Sequence, residues 1–203
     1  MIIVRNMLVI CMLVVLSWSA ASGQQDLPAD CDLCPGLPWG PEETTVSIAI
    51  SPTCNASITY KKRLCQGVSE VQVVRVNLLP GCPTADHAGT YHKAIAMVTF
   101  NNGFGLPLPA TAPGVNVVNW RIIRQSCTQP GTVTGTIVGC QEYCCVSDIN
   151  VRRMGDCDTW FFAGEVVRNE YVNCQSENPL TEGCAYSCLG ELVKKKGTSA
   201  TPQ

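Results

Sequence analysis

Charge is scarce in this chain and so are aromatic rings: 15% of its 203 residues are charged, 6% are aromatic and only two are histidine. A formal net charge of −2 provides no basic face of the kind that releases counterions from a phosphate backbone, so nucleic acid is not an expected partner. The chain has no nucleophile elbow, phosphate loop, dinucleotide fingerprint or zinc-protease helix, so no catalytic residue, metal or cofactor is expected. Apolar runs are short as well. The longest, Met7 to Leu16, is too brief to span a bilayer, and no later segment is long and apolar enough to do so.

What the chain has instead is 14 cysteines. Arg5, the apolar run and the small residues Ser19 to Gly23 have the three-part layout of a secretory leader, with cleavage expected after Gly23. Cys11 leaves with it. Removing 23 residues leaves 180, with 13 cysteines and, once Arg5 is gone, 13 basic residues against 16 acidic ones. Such cysteine density in an exported chain reads as a disulfide framework, and an odd number leaves at least one sulfur for a free thiol or a second chain. The candidates are Cys31, Cys34, Cys54, Cys65, Cys82, Cys127, Cys140, Cys144, Cys145, Cys157, Cys174, Cys184 and Cys188.

Four regions follow: a leader at 1–23, a Pro/Cys-rich segment at 24–43, one disulfide-rich domain at 44–190 and a frayed basic and polar tail at 191–203. Alternation of apolar and polar residues predicts strands at Thr44 to Ser51, Asn55 to Leu64 and Val71 to Leu79, joined as an antiparallel meander. Ala56, Ile58, Tyr60 and Leu64 fall on one face of the second strand, and Ser57, Thr59, Lys61 and Arg63 on the other. The period then changes. Ala88, Tyr91, Ile95 and Val98 predict a helix over Thr84 to Asn101, with Thr84 as N-cap and Gly103 past the end. A Gly/Pro loop follows at 103–114. Further strands are expected at Val115 to Gln125, Thr132 to Val138, Cys144 to Arg153, Trp160 to Arg168 and Glu170 to Asn173. The fold class is α+β: mainly antiparallel sheet, one packed helix, disulfide staples.

Strand geometry limits the pairings. An extended run from Cys54 to Cys65 separates them by roughly 36 Å at 3.3 Å per residue, so they require different partners. Adjacent Cys144 and Cys145 point to opposite faces and also need separate partners. Cys31 and Cys34, like Cys184 and Cys188, are close enough to bridge locally. Cys31-x-x-Cys34 also has the spacing of a redox pair, but it lies in a proline-rich segment without a βαβ pattern, so a structural bridge is the expectation.

Other groups have plain readings. His87 and His92, five apart on a helix, diverge by about 140° and do not converge on a metal. Asp156 and Asp158, and Glu42 and Glu43, are neighbours in extended segments rather than acids facing across a cleft. Lys61 to Arg63, Arg152 with Arg153, and Lys194 to Lys196 read as solvated charge. Asn55-Ala56-Ser57 is a glycosylation sequon that matters only in a eukaryotic secretory route. Trp39, Trp120, Tyr143 and Trp160 are candidates for a glycan or small-ligand platform, against the commoner use of a buried tryptophan on a disulfide.

The cysteine followed by Ile58-x-Tyr60-x-x-Arg63, the helix ending in Asn101-Asn102-Gly103-Phe104-Gly105-Leu106-Pro107, and the strand entry Glu142-Tyr143-Cys144-Cys145 together resemble a class of exported, cysteine-rich bacterial proteins. The resemblance covers roughly residues 39 to 190. It implies export and association with a surface, and it transfers no catalytic residue. The expected function is that of a non-enzymatic structural or adhesion protein, secreted or at the cell surface, which meets a protein partner or a copy of itself. The alternatives are a secreted small-ligand or glycan-binding module and an exported thiol-redox protein or hydrolase.

Overall fold

The computed structural model describes residues 31–82, 86–110, 117–139, 144–153, 160–168 and 185–186. The leader, the tail and the Glu170 to Asn173 strand lie outside them. So do Thr84, Cys140, Tyr143, Cys157, Cys174, Cys184 and Cys188.

Among the described residues, ten strands form one sheet: β1 (Glu43–Thr44), β2 (Ile48–Ser51), β3 (Cys54–Cys65), β4 (Val68–Leu78), β5 (Val117–Gln125), β6 (Cys127–Pro130), β7 (Thr136–Gly139), β8 (Cys144–Arg153), β9 (Trp160–Arg168) and β10 (Ala185–Tyr186). One helix, α1 (His87–Phe100), is present among the described residues. The expected first strand divides into β1 and β2, and both lie on the same edge of β3. β3 then turns into β4 through Gln66 and Gly67. Both have positive φ (49° and 81°), the sign pattern of a type I′ hairpin whose twist matches that of its strands.

β4 organises the sheet. Along one edge it pairs with β3 over most of its length, antiparallel. Its other edge is shared: Ser69 to Gln72 run parallel to Trp120 to Ile123 of β5, while Arg75 to Asn77 pair antiparallel with β7. Between the two sections the β3 register steps from Arg75 to Val73, leaving Val74 as an extra residue that bends β4. The sheet therefore divides, with β5, β8 and β9 on one branch and β7, β6 and β10 on the other.

The expected antiparallel sheet is accordingly mixed, though mainly antiparallel. A parallel pair needs a long crossover, and here the chain between β4 and β5 includes α1. The helix starts later than the sequence predicts. Asp86 is its N-cap, with Oδ1 accepting from the Gly89 amide at 2.8 Å. At its other end the Gly103 amide donates to Val98 O and the Asn102 amide to Thr99 O, with Asn102 at φ 48°. This is a Schellman closure in which asparagine, not the expected glycine, takes the left-handed position.

The helix buries Tyr91, Ala94, Ile95 and Val98 against Ile58, Val71, Val73, Val76, Ile122 and Ile149. Ile95 and Val98, fully buried, are each worth about 1.5–3 kcal/mol. The Gly/Pro loop after α1 covers the same side: Phe104 packs edge-on against Tyr60 at 5.0 Å, and Trp120 Nε1 donates to Pro107 O. A smaller cluster, Cys31, Ile123, Cys144 and Val146 with Trp39 against it, lies on the other face. The result is three layers: N-terminal strap, sheet, and helix with loop.

Three disulfides join the described parts: Cys31 to Cys144, Cys34 to Cys65 and Cys54 to Cys82. They imply an oxidising, extracellular-type environment. Cys54 and Cys65 have different partners, as the length of β3 requires. The local bridge expected between Cys31 and Cys34 is not made; Asp32 Oδ1 instead accepts from the Cys34 amide, and the two sulfurs reach different strands. Among the described residues, no helix is long and apolar enough to cross a membrane.

Candidate functional site

The strap face of the sheet carries a row of alternating charges. The two-residue turn at Gln66 and Gly67 sets Arg63 of β3 opposite Glu70 of β4; Glu70 is beside Arg121 of β5, and Arg121 is opposite Asp148 of β8. All four side chains meet on that face. Arg63 Nε donates to Glu70 Oε2 at 2.6 Å, Arg121 Nη1 to Glu70 Oε1 at 2.6 Å, and Arg121 Nε to Asp148 Oδ1 at 2.6 Å. The strap closes the free end. Asp32 accepts from Arg63 Nη2, while Arg63 Nη1 donates to the carbonyls of Leu37 (2.9 Å) and Cys34 (3.3 Å). Trp39 lays its ring over the same guanidinium, 4.0 Å from centroid to carbon.

Burial makes this row unlike surface charge. Glu70 is 0% exposed and the Arg63 side chain 2%. Burial works against both guanidinium charges, yet the hydrogen bonds that Arg63 makes to Asp32 and Glu70, and Arg121 to Asp148 and Glu70, outweigh it and hold both pKa values above the ordinary one. The Arg63 hydrogen bond likewise pulls Asp32 below the ordinary carboxylate value, against the opposing effect of burial. Three carboxylates and two guanidinium groups satisfy one another. Chemically the arrangement is a clamp, with its donors directed at groups of the same chain.

The solvated reading of Lys61 to Arg63 is thereby corrected. Lys62 is half-exposed and pairs with Glu43 at 2.9 Å, but Lys61 and Arg63 are both buried on the face that alternation assigned to water, and the strap covers Arg63. Leu64, assigned to the core face, is 65% exposed. Glu43 also accepts from Tyr60 Oη at 3.0 Å; the Lys62 hydrogen bond lowers its pKa, and burial pushes the Tyr60 hydroxyl up to about 12. Glu42 is 3.7 Å from Arg75 on the surface.

The platform candidates among the described residues do not share a surface. Trp120 is 1% and Trp160 4% exposed, and each packs edge-on against the other and against Phe162. Trp39 is half-buried with one face against Arg63. Tyr143 lies outside the described residues, as do Asp156, Asp158 and Lys194 to Lys196. His92 is buried, whereas His87 Nε2 is 3.0 Å from Thr128 O at the helix start. No group of three metal-ligating side chains occurs among the described residues. Asn55 is exposed where β3 begins.

A further buried cation lies on the helix side. Arg121 and Arg124 are three apart in β5, an odd spacing that sends them to opposite faces. Arg124 is 1% exposed, and its Nη1 donates to Ser147 Oγ at 2.7 Å. Nearby, burial raises the pKa of Tyr91 well above that of an ordinary phenol. Compared with known proteins, the chain matches no family model, no curated protein and no solved structure.

Proposed function

We propose that this is an exported, non-enzymatic structural or adhesion protein that works by association, with a copy of itself as its first partner. The observation that carries the proposal is the cysteine count. All eight described cysteines are in disulfides, the three pairs above together with Cys127 and Cys145. If Cys11 leaves with the leader, the sulfur available for a link between chains is one of Cys140, Cys157, Cys174, Cys184 and Cys188. Two further features support the reading. The donors of the charged row are taken up by groups of the same chain, and β9, at one end of the strand order, has only β8 as a strand neighbour among the described residues.

The test is intact mass of the oxidised, alkylated protein, before and after reduction. A covalent dimer or ladder that collapses to one mass on reduction is the expected result, and serine substitution of the linking cysteine should abolish it. A monomer carrying a single alkyl group, also monomeric by light scattering at high concentration, would sink the proposal.

A further inference from the structure

We infer that Cys34–Cys65 is a thiol-exchangeable latch on the strap, and that Cys31–Cys144 is the tether that keeps the strap attached while the latch is open. The two bridges lie three residues apart on the strap, but their surroundings differ. Cys31 and Cys144 are 3% and 1% exposed, sealed in the small core with Ile123 and Val146. Cys34 is half-buried, and the residues around it, Leu33 and Pro35 to Pro38, are exposed. An incoming thiolate can therefore approach the Cys34 sulfur, whereas Cys65, at 2% exposure, is shielded.

Attack at Cys34 makes Cys65 the leaving group. The attacking sulfur forms a bond to Cys34 Sγ, the Cys34–Cys65 bond breaks, and its electron pair departs on Cys65 as thiolate, which takes up a proton from water. A second external thiol resolves the mixed disulfide, so that two thiols are oxidised to one disulfide as the bridge is reduced to two thiols. Leaving is faster when the departing thiolate is stabilised. Arg63, two residues before Cys65 on the same face of β3, donates to the Cys34 carbonyl at 3.3 Å, so its guanidinium lies on the same side of the strand as the departing sulfur.

Opening has a defined consequence. Four contacts of Arg63 come from the strap: the Asp32 carboxylate, the carbonyls of Cys34 and Leu37, and the Trp39 ring. With the bridge closed, residues 32 to 39 shield the outer end of the charged row. With it open they can lift away, leaving Arg63 on Glu70 alone and exposed to solvent. Cys31–Cys144 holds the strap within reach for reclosure. This latch does not depend on self-association, and its test is read on the monomer.

The oxidised full chain is treated briefly with glutathione, quenched with iodoacetamide and mapped by peptide mass, with hydrogen exchange measured on the same samples. Cys34 and Cys65 are expected to be labelled about tenfold faster than Cys31 and Cys144, in keeping with exposure control of thiol exchange. Protection should fall at 61–65, remain at 144–151 and return on reoxidation. The Cys34→Ser/Cys65→Ser double variant should reproduce the open-state exchange pattern without any thiol. Equal labelling of the two strap bridges, or a double variant as protected at 61–65 as the parent, would overturn the latch.

Discussion

The two faces of this sheet are closed by different physics. On the helix side, α1 and the loop after it cover a continuous apolar cluster, and the non-directional gain of removing it from water holds the layers together. On the strap side, a segment without regular structure, whose Leu33 and Leu37 stay exposed, is held by two disulfides, one ion pair from Asp32 to the charged row, two carbonyl hydrogen bonds and one cation–ring contact. The first arrangement tolerates imprecision, since a lost methyl leaves a small cavity. The second does not, because every charge in it depends on its neighbour. A strap that leaves both its leucines exposed is not held down by burial alone, and directional bonds supply what burial does not.

The variant that should separate the faces most sharply is Glu70→Ala. It strips the buried Arg63 and the partly buried Arg121 of their shared carboxylate, and breaking a buried pair typically costs about 3–5 kcal/mol. Urea unfolding of the oxidised protein should show that loss. Replacing Arg63 and Glu70 together by Met and Leu should recover much of it, since a buried ion pair adds little over a well-packed apolar pair. If the double replacement were as damaging as Glu70→Ala, the row would be contributing stability beyond mutual neutralisation.

Ile95→Ala on the helix side should cost about 2–5 kcal/mol, the usual range for a fully buried aliphatic truncation. Its distinguishing mark is where the loss appears. Hydrogen exchange should rise in α1 and β2, which pack together, and the acid sensitivity of the strap should not change.

Asp32→Asn should cost about 1–2 kcal/mol, the scale of a partly buried hydrogen bond to a charged group. The pH dependence has a fixed sign. Asp32 has a lowered pKa in the fold, so its contribution is fully present above the unfolded value near 3.8 and is lost as pH falls through the folded value. Strap protection in the parent should therefore weaken below about pH 4. In the variant this acid-linked step should be missing.

The same contrast explains which parts of the molecule were legible in the sequence. β8 and β9 fall on their expected residues, and β3, β4 and α1 are off by a few residues, because alternation and helical spacing report a buried face directly. The opposition of Arg63 and Glu70 was also within reach: a two-residue turn at Gln66 and Gly67 places them across from each other by counting alone. Two things were not legible. The parallel pairing of β4 with β5 depends on how a crossover folds back, and neither strand's own residues encode it. Burial of Arg63 depends on a proline-rich strap whose sequence has no period and whose anchors are sulfurs with partners 31 and 113 residues away. Polar residues on the second face of a strand signal water only if nothing covers that face.

The smallest expected effect concerns the turn that serves both faces. Gln66 has φ 49° in a position that favours asparagine or glycine, and the left-handed region costs an ordinary L-residue about 1–2 kcal/mol. Gln66→Asn should regain about 0.5–1 kcal/mol of that cost. The side chain is exposed and has no part in either core, so the gain should come from the backbone alone. Because the turn fixes the register that places Ile58 and Tyr60 toward the helix and Arg63 toward the strap, it steadies both layers together. Thermal unfolding should move up with no change in the acid-linked step or in the rate at which Cys34 is labelled. A gain confined to one layer would mean that β3 and β4 are registered by their faces, and that the hairpin turn merely follows.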